Sequence, residues 1–192
     1  MKTLFVLRHA KSSWEDPQLK DIARPLAQSG RTGIDLVAGR LRERQVSIDA
    51  IVSSSAKRTR QTAALFAQRL NLLDSSISYS AELYFAGAPM LRQAVSRFED
   101  CHSSVMLVGH NPAVTDFVNE LGVGALGIEE LENVPTCGLL QFELAIESWQ
   151  ESDTAQARLV EFDYHKRNTN PEEQCVEFSQ LSAAHDARMP NA

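Results

Sequence analysis

The sequence has few cysteines, and those it has are poorly placed for a disulfide framework or a zinc site. Cys101, Cys137 and Cys175 are far apart, and none of them belongs to a Cys-x-x-Cys or Cys-x-x-His pair. Paired cysteines at short spacing are what disulfide-rich domains and structural zinc sites need. We therefore predict a protein of a reducing compartment, without a structural metal.

Long apolar segments and an excess of positive charge are also missing. The apolar stretch near the N-terminus ends at Arg8 and His9, which is too soon for a secretory signal, and no window approaches the length of a membrane span. The formal net charge of −6 disfavours nonspecific binding to nucleic acid or to an anionic membrane. We expect a soluble, cytoplasmic protein that binds neither nucleic acid nor membrane.

The length and composition fit one domain followed by a tail. With 192 residues, 43% of them hydrophobic, the chain can bury a full core without a staple. We place this domain at residues 1–165. Residues 166–192 are mostly polar, so we interpret them as a C-terminal tail.

Three short apolar runs, at residues 3–7, 50–54 and 105–109, are continuous rather than alternating. This pattern is typical of strands covered on both faces by helices. Helical patterns lie between them, the last with Asn111 as predicted N-cap, Pro112 at the first helical position and Gly122 as C-cap. Two later runs, "GLLQFELAI" and "ARLVEFDY", can add strands. We predict an α/β fold, a three-layer α/β/α sandwich with a mainly parallel central sheet.

Polar residues follow each of the three apolar runs. Arg8 and His9 follow the first run, "SSSAKRTRQT" follows the second, and His110 and Asn111 follow the third. Ligands of open α/β sheets bind beyond the carboxyl ends of the strands. The sequence therefore predicts one site that contains two histidines and at least two arginines.

The residue types indicate a phosphate ligand. Arginine presents a planar fork of donors that matches phosphate, and the N-terminus of the helix after His110 adds free N–H groups. A histidine in this setting can attack phosphorus and form a covalent intermediate. We expect neighbouring guanidinium charges to lower its pKa, which leaves the imidazole neutral near pH 7.

Each of these features also has a simpler interpretation. An Arg-His pair at a strand end can be surface decoration or a local ion pair, and "KRTR" can be the basic face of a solvated helix. His110 can merely cap the next helix. The coincidence of all three at successive strand ends favours a shared site.

Four strings carry a resemblance to a known family: "LRHAKSSW", "RPLAQSG", "SSSAKRTRQTA" and "LVGHNP". Together they resemble the histidine phosphatase superfamily, whose fold is phosphoglycerate-mutase-like. Within it they are similar to the SixA-like phosphohistidine phosphatases, small members that lack a large inserted lid. The resemblance runs from residue 3 to about residue 145 and leaves the tail uncovered.

The resemblance implies a role for four residues. His9 matches the nucleophile, Arg8 and Arg58 match the arginines that hold the phosphoryl group, and His110 matches the second histidine, a donor to the phosphoryl oxygens. The sequence departs from the family pattern at Ser55, where a proline is usual. Arg58 is preferred to Arg60, because a side chain two positions further along a helix points in a different direction.

The resemblance also suggests further residues around the phosphate pocket. Asp21 and Arg24 match a "DxxRPL" element near the site, and a local ion pair that fixes the loop is an equal alternative. Glu82, in "AELYFAG", lies in the region where larger relatives carry a general acid, but it can equally be a surface residue. Asn111 completes the set of candidate substrate-binding residues.

The combined prediction is a phosphatase that needs no metal and no cofactor. It would act through a covalent phosphohistidine on His9, and the resemblance favours a phosphohistidine-bearing phosphotransfer protein as substrate. Two alternatives stay open at this point: a phosphatase of small phosphoesters or sugar phosphates, and a catalytically idle module that binds a phosphorylated ligand.

Overall fold

The computed structural model describes residues 1–122 and 130–166, and its centre is a six-stranded sheet. The strands lie in the order β3-β2-β4-β1-β5-β6. The first four of these pair in parallel, whereas β5 and β6 are antiparallel additions at one side. Their bounds are β1 Lys2–Arg8, β2 Ala50–Ser54, β3 Ile77–Ser80, β4 Ser104–Gly109, β5 Leu139–Leu144 and β6 Ala157–Asp163.

Helices cover both faces of the sheet. They are α1 Gln28–Glu43, α2 Lys57–Arg69, α3 Ala88–Val95 and α4 Ala113–Glu120. Alternate residues of β1 enter two separate cores: Leu4 and Val6 pack with residues of α3 and α4, while Phe5 and Leu7 pack with residues of α1 and α2. A strand buried on both faces needs apolar residues at every position, which explains the continuous apolar runs. The predicted three-layer α/β/α sandwich is confirmed.

Two elements lacked a clear signal in the sequence. Strand β3 lies at the edge of the sheet and is only partly buried, so it has no apolar run. Helix α3 has eight residues, which is too short for a sustained periodic pattern. Strand β3 was missed because little of its surface enters the core, and helix α3 because its three buried residues are too few for a recognisable pattern.

The start of α4 differs from the prediction. The helix begins at Ala113 with Pro112 as its N-cap, and no side chain caps it. Asn111 is not the N-cap, because its side-chain amide donates to the segment before β5 instead. Gly122 lies one residue beyond the C-cap Leu121 with a φ of 102°, a conformation that favours glycine after a helix.

The predicted domain boundary at residue 165 stays a prediction. Strand β6 ends at Asp163, and of the predicted tail only Lys166 belongs to the described residues. No helix in the described ranges has both the length and the apolar character needed to cross a membrane.

Candidate active site

The carboxyl ends of three neighbouring strands meet at one edge of the sheet. Arg8 at the end of β1 is in register with Gly109 at the end of β4, and Ser53 of β2 is in register with Val108. The backbone N–H of His9 donates to the carbonyl of Gly109 at 3.1 Å. The sheet therefore brings the residues that follow each strand into one place, as the order of the apolar runs predicts.

The hydrogen bonds of His9 define which of its ring nitrogens carries the proton. Nδ1 lies 2.8 Å from the carbonyl oxygen of Ala10, and a carbonyl can only accept, so Nδ1 must donate. Nε2 is then unprotonated, and Arg58 Nε donates to it at 3.3 Å. The imidazole thus presents a free electron pair next to a cation.

The loop after β1 is fixed against both flanking helices. The backbone N–H of Ala10 donates to Thr62 Oγ1 on α2 at 3.1 Å. On the other side, a Cβ added at Gly30 of α1 would lie 2.3 Å from the carbonyl oxygen of Lys11. Only glycine allows this close approach, and the result is a rigid seat for His9.

Arg58 is the centre of the site. It lies in the first turn of α2 and is 8% exposed. Its Nη1 donates to the carbonyl of Asp21 at 2.8 Å, and its Nη2 lies 3.0 Å from Asp21 Oδ2 and 3.2 Å from His110 Nδ1. Arg60, two residues on, is exposed and lies over the ring of Tyr79. The helical geometry thus separates the two arginines as the sequence predicts.

His110 faces His9 across the pocket. The centroids of the two rings are 5.1 Å apart. His110 Nε2 lies 2.8 Å from the hydroxyl of Ser54, the last residue of β2. The ring of Tyr84 meets that of His110 edge-on at 5.7 Å, so the second histidine is held from two sides.

Arg8 and Asn111 share their partners. Arg8 Nη1 donates to Asn133 Oδ1 at 3.1 Å and to the carbonyl of Val134 at 2.6 Å, and the Asn111 amide donates to the same two oxygens at 2.8 and 3.1 Å. Within residues 1–122 and 130–166, Arg8 Nε and Asn111 Oδ1 are buried without a hydrogen-bond partner. Arg8 therefore keeps a donor available for a ligand.

Asp21 belongs to the site, and Arg24 supports it. The Tyr84 hydroxyl donates to Asp21 Oδ2 at 2.7 Å, opposite the contact with Arg58. Arg24 Nη1 reaches Asp21 Oδ1 at 3.3 Å, while its other nitrogens donate to Ser12 and Ser13. Asp21 and Arg24 thus form the predicted local ion pair, and the same ion pair lies next to Arg58 in the site.

Glu82 is not brought to the other candidate residues. Its side chain is exposed and lines a groove of about 440 Å³ beside β2, β3 and α3. Among the described residues that line this groove, none is Arg8, His9, Arg58 or His110. Tyr84, from the same short 3₁₀ turn, is the side chain that reaches the site instead.

Burial is the main cause of the shifted histidine pKa values. Together with the smaller effect of the Arg58 and Arg8 charges, burial lowers the pKa of His9 to about 4 and that of His110 to about 3. The predicted direction agrees, but the guanidinium groups are the smaller cause. The Tyr84 hydrogen bond, followed by the Arg58 charge, holds the pKa of Asp21 below its ordinary value.

This arrangement can bind and attack an anionic phosphoryl group. Two arginines and two neutral histidines converge, and one histidine offers an unprotonated Nε2. Among the described residues, three side chains that could bind a metal have their ligand atoms within 4.8 Å of one another. They are Glu99, Cys101 and His102, which lie just before β4 and outside the site. The site itself is therefore cationic in character.

Three residues of the site escaped the sequence interpretation. Ser54 was visible only as part of "SSSAKRTRQT", and Tyr84 as part of "AELYFAG", so in both cases the right segment was identified but the wrong side chain was considered. Asn133 had no signal, because only the return of the chain towards β5 places it beside Arg8.

Comparison with known proteins agrees with this geometry. Residues 4–83 match the family model of the histidine phosphatase superfamily, branch 1, a range that contains Arg8, His9 and Arg58. An uncharacterized protein of Mycobacterium tuberculosis strain H37Rv is 31% identical over 161 residues, which cover 81% of this chain and 98% of that protein.

Two solved structures are also similar. One is a protein of Agrobacterium tumefaciens proposed to be the phosphohistidine phosphatase SixA; it is 29% identical with a TM-score of 0.71, and the match covers 84% of this chain and 97% of the other. The second, proposed to be SixA of Nakamurella multipartitia, is 25% identical with a TM-score of 0.73, and the match covers 84% of this chain and 95% of the other.

Proposed function

Because the chain belongs to the histidine phosphatase superfamily, in its SixA-like branch, we propose that it removes the phosphoryl group from phosphohistidine in a signalling phosphotransfer protein. His9 is the nucleophile, and Arg8, Arg58 and His110 hold the phosphoryl oxygens. Asp21 and Arg24 position Arg58 and the loop after β1, and Asn111 positions Arg8. No metal or cofactor takes part in these steps.

The protonation state of His9 is the observation that carries this proposal. Its Nδ1 is tied to the Ala10 carbonyl, so its Nε2 keeps an electron pair directed at Arg58. Its pKa of about 4 keeps the ring neutral at pH 7. A neutral imidazole with a fixed, unprotonated nitrogen beside guanidinium donors is suited to nucleophilic attack on a bound phosphoryl group.

The reaction has two steps. In the first, the Nε2 electron pair of His9 forms a bond to phosphorus while the P–N bond of the substrate breaks, and the departing imidazole takes a proton from solvent. In the second, water attacks phosphorus, the bond to Nε2 breaks, and inorganic phosphate and neutral His9 are released. Arg8 and Arg58 stabilise the charge on the phosphoryl oxygens in both steps.

Asp21 is poorly suited to be the proton donor for the leaving group. Its lowered pKa keeps it ionised at neutral pH, so it acts as a partner of Arg58. Glu82 stays a prediction as a substrate-binding residue, and it is exposed beside the neighbouring groove. A good leaving group such as imidazole needs little acid assistance, which fits phosphohistidine better than a phosphoester.

Exposed aromatic side chains beside the pocket support a protein substrate. Trp14 is 75% exposed and lies over the Arg24 guanidinium at 3.1 Å, and Phe85 is 87% exposed and lies against Tyr84. Both Arg24 and Tyr84 contact Asp21, so each exposed ring packs against a neighbour of Asp21. Large exposed aromatic rings are typical of surfaces that contact proteins.

The direct test compares phosphate release from a histidine-phosphorylated phosphotransfer protein and from a small phosphoester. We expect the wild type to prefer the phosphoprotein, and His9→Ala to lose this activity while it keeps a cooperative unfolding transition. Equal or better turnover of the phosphoester would assign a small-molecule phosphatase. Binding of the phosphoprotein without any turnover would assign a binding module.

The aromatic pair is tested with the same two substrates. Trp14→Ala and Phe85→Ala should each raise KM for the phosphoprotein about fivefold, on the order of 1 kcal/mol per contact, and leave turnover of a small phosphoramidate unchanged. Leu73→Ala is the matched control, since Leu73 is 72% exposed but lies before β3, on the side of the sheet where the parallel strands begin. Equal losses on both substrates would exclude a docking role.

A further inference from the structure

Among the described residues, the hydroxyl of Ser54 is the hydrogen-bond partner of His110 Nε2. Ser54 is fully buried at the end of β2, and its Oγ lies 2.8 Å from His110 Nε2. Its own backbone is fixed, since its carbonyl accepts hydrogen bonds from Thr59 Oγ1 and Ser53 Oγ. The hydroxyl is therefore held at a constant position behind the ring.

The other ring nitrogen shows how His110 is protonated in the free protein. Arg58 Nη2 lies 3.2 Å from His110 Nδ1. A guanidinium group can only donate, so Nδ1 accepts and carries no proton. The neutral ring then has its proton on Nε2, which donates to Ser54 Oγ.

This tautomer cannot hold a phosphoryl group. Phosphoryl oxygens only accept hydrogen bonds, and the unprotonated Nδ1 is the nitrogen on the side of Arg58. An electron pair directed at an anionic oxygen is repulsive. For His110 to become a donor to the phosphoryl group, a proton must therefore be present on Nδ1.

A hydroxyl group is the side-chain partner that suits both tautomers. It accepts from Nε2–H in the free protein, and after rotation about its C–O bond it donates to an unprotonated Nε2. We propose that Ser54 is a positioning residue that allows His110 to exchange its Nε2–H tautomer for the Nδ1–H tautomer when a phosphoryl group binds. One proton leaves Nε2, one is taken up at Nδ1 through solvent, and the charge of the ring is unchanged.

The surroundings of His110 favour a neutral exchange over a second proton. The groups that face it from the packed elements are His9, Arg8, Arg58, Asp21 and Tyr84. Burial and the two arginines oppose a positive charge on the ring, and only Asp21 favours it. A tautomer exchange gives the pocket a new donor without adding a cation.

This inference rests on the proposed function, and the experiment separates the two. Long-range ¹H–¹⁵N spectra of the ¹⁵N-labelled protein report which ring nitrogen is protonated, with His110 assigned from the His110→Gln variant. We expect protonated Nε2 in the free protein and protonated Nδ1 with saturating inorganic phosphate. Protonation of Nε2 in both states, or of both nitrogens with phosphate, would overturn the inference.

Three variants connect the tautomer to activity. Ser54→Ala should lower kcat on the phosphoprotein about tenfold and prevent the phosphate-dependent change at His110, whereas Ser54→Thr, which keeps the hydroxyl, should restore both. Ser152→Ala is the matched control, because it removes another buried hydroxyl, one that makes no hydrogen bond within the described residues. Equal behaviour of Ser54→Ala and Ser152→Ala would refute the role of Ser54.

A failure of the proposed function would look different. If the wild type released no phosphate from any substrate, the activity arm would fail for every variant, while the spectra with inorganic phosphate would still decide whether the tautomer exchange takes place. Thermal unfolding of all three variants identifies any loss of activity that comes from loss of the fold.

Discussion

The parallel strands all begin on one side of the sheet, the first edge, and end on the opposite side, the second edge. At the first edge, where β1 begins, Lys2 Nζ donates to the carbonyl oxygens of Asp100 and His102 at 2.7 and 3.0 Å. At the second edge, where β1 ends, Arg8 Nε is buried without a hydrogen-bond partner in the described part of the chain. The two residues are six positions apart on one strand. Both are cations at the border of the core and both donate to two oxygens of the chain, but Arg8 also keeps a buried nitrogen without a partner.

The first edge is satisfied by the chain itself. The indole N–H of Trp149 donates to the His102 carbonyl at 2.8 Å, its backbone N–H donates to Asp100 Oδ1, and Asp49 Oδ2 accepts from the backbone of Ser103 and Ser104. Each of these donors and acceptors has a partner of the opposite kind. Such a network stabilises the fold.

The second edge is arranged differently. Arg58 donates to two imidazole nitrogens, His9 and His110 are kept neutral by burial, and Arg8 retains an unused donor. This arrangement is suited to an anionic ligand, so the second edge is where we expect a phosphoryl group to bind.

The largest expected effect comes from removing the central cation of the second edge. Arg58→Ala should lower kcat/KM on the phosphoprotein by about 10²- to 10³-fold, because it removes a donor that serves the charged transition state. Arg60→Ala, two residues on, should stay within about twofold, since surface substitutions away from the chemistry are nearly neutral. Steady-state kinetics measures both, and a larger loss in Arg60→Ala would mean that the wrong arginine is assigned to the pocket.

The first edge should respond in stability instead of activity. Lys2→Met should lower the free energy of unfolding by about 2 kcal/mol, because it removes two charge-assisted hydrogen bonds to partly buried carbonyl oxygens. Turnover per folded molecule should stay at the wild-type value, as measured below the unfolding transition.

Lys20→Met serves as the control for this prediction, since Lys20 is exposed and the substitution should change the unfolding free energy very little. Denaturant titration of both variants gives the comparison. A loss of catalytic activity in Lys2→Met without a loss of stability would contradict the separation of the two edges.

A smaller effect should appear in the dependence of stability on pH. The unfolded chain binds protons at histidine near its ordinary pKa of about 6.5, whereas His9 and His110 stay neutral in the folded protein down to about 4 and about 3. The unfolded state therefore binds more protons in between, and stability decreases as the pH falls through this window.

His9→Ala should make this pH dependence shallower. Between pH 7 and pH 5 the wild type should lose about 1 to 2 kcal/mol more unfolding free energy than the variant, because one buried neutral histidine is gone. Urea titrations at both pH values measure the difference. An equal loss in the two proteins would show that His9 is free to become protonated in the folded state.

Much of the molecule was determined by the sequence alone. The continuous apolar runs of β1, β2 and β4 indicated a sheet covered on both faces, because only such strands need apolar residues at every position. The polar residues after those runs indicated the site, because parallel strands end at a common edge. The choice of Arg58 over Arg60 followed from helical geometry.

Other features were decided only by the tertiary structure. Tyr84 and Ser54 reach His110, and Asn133 reaches Arg8, through contacts between segments that are far apart in the chain. Glu82 lines a neighbouring groove, although the family resemblance puts it in the region of a general acid. The proton positions on the two histidines depend on which donor or acceptor faces each nitrogen in three dimensions, and a sequence specifies the residues but not their directions.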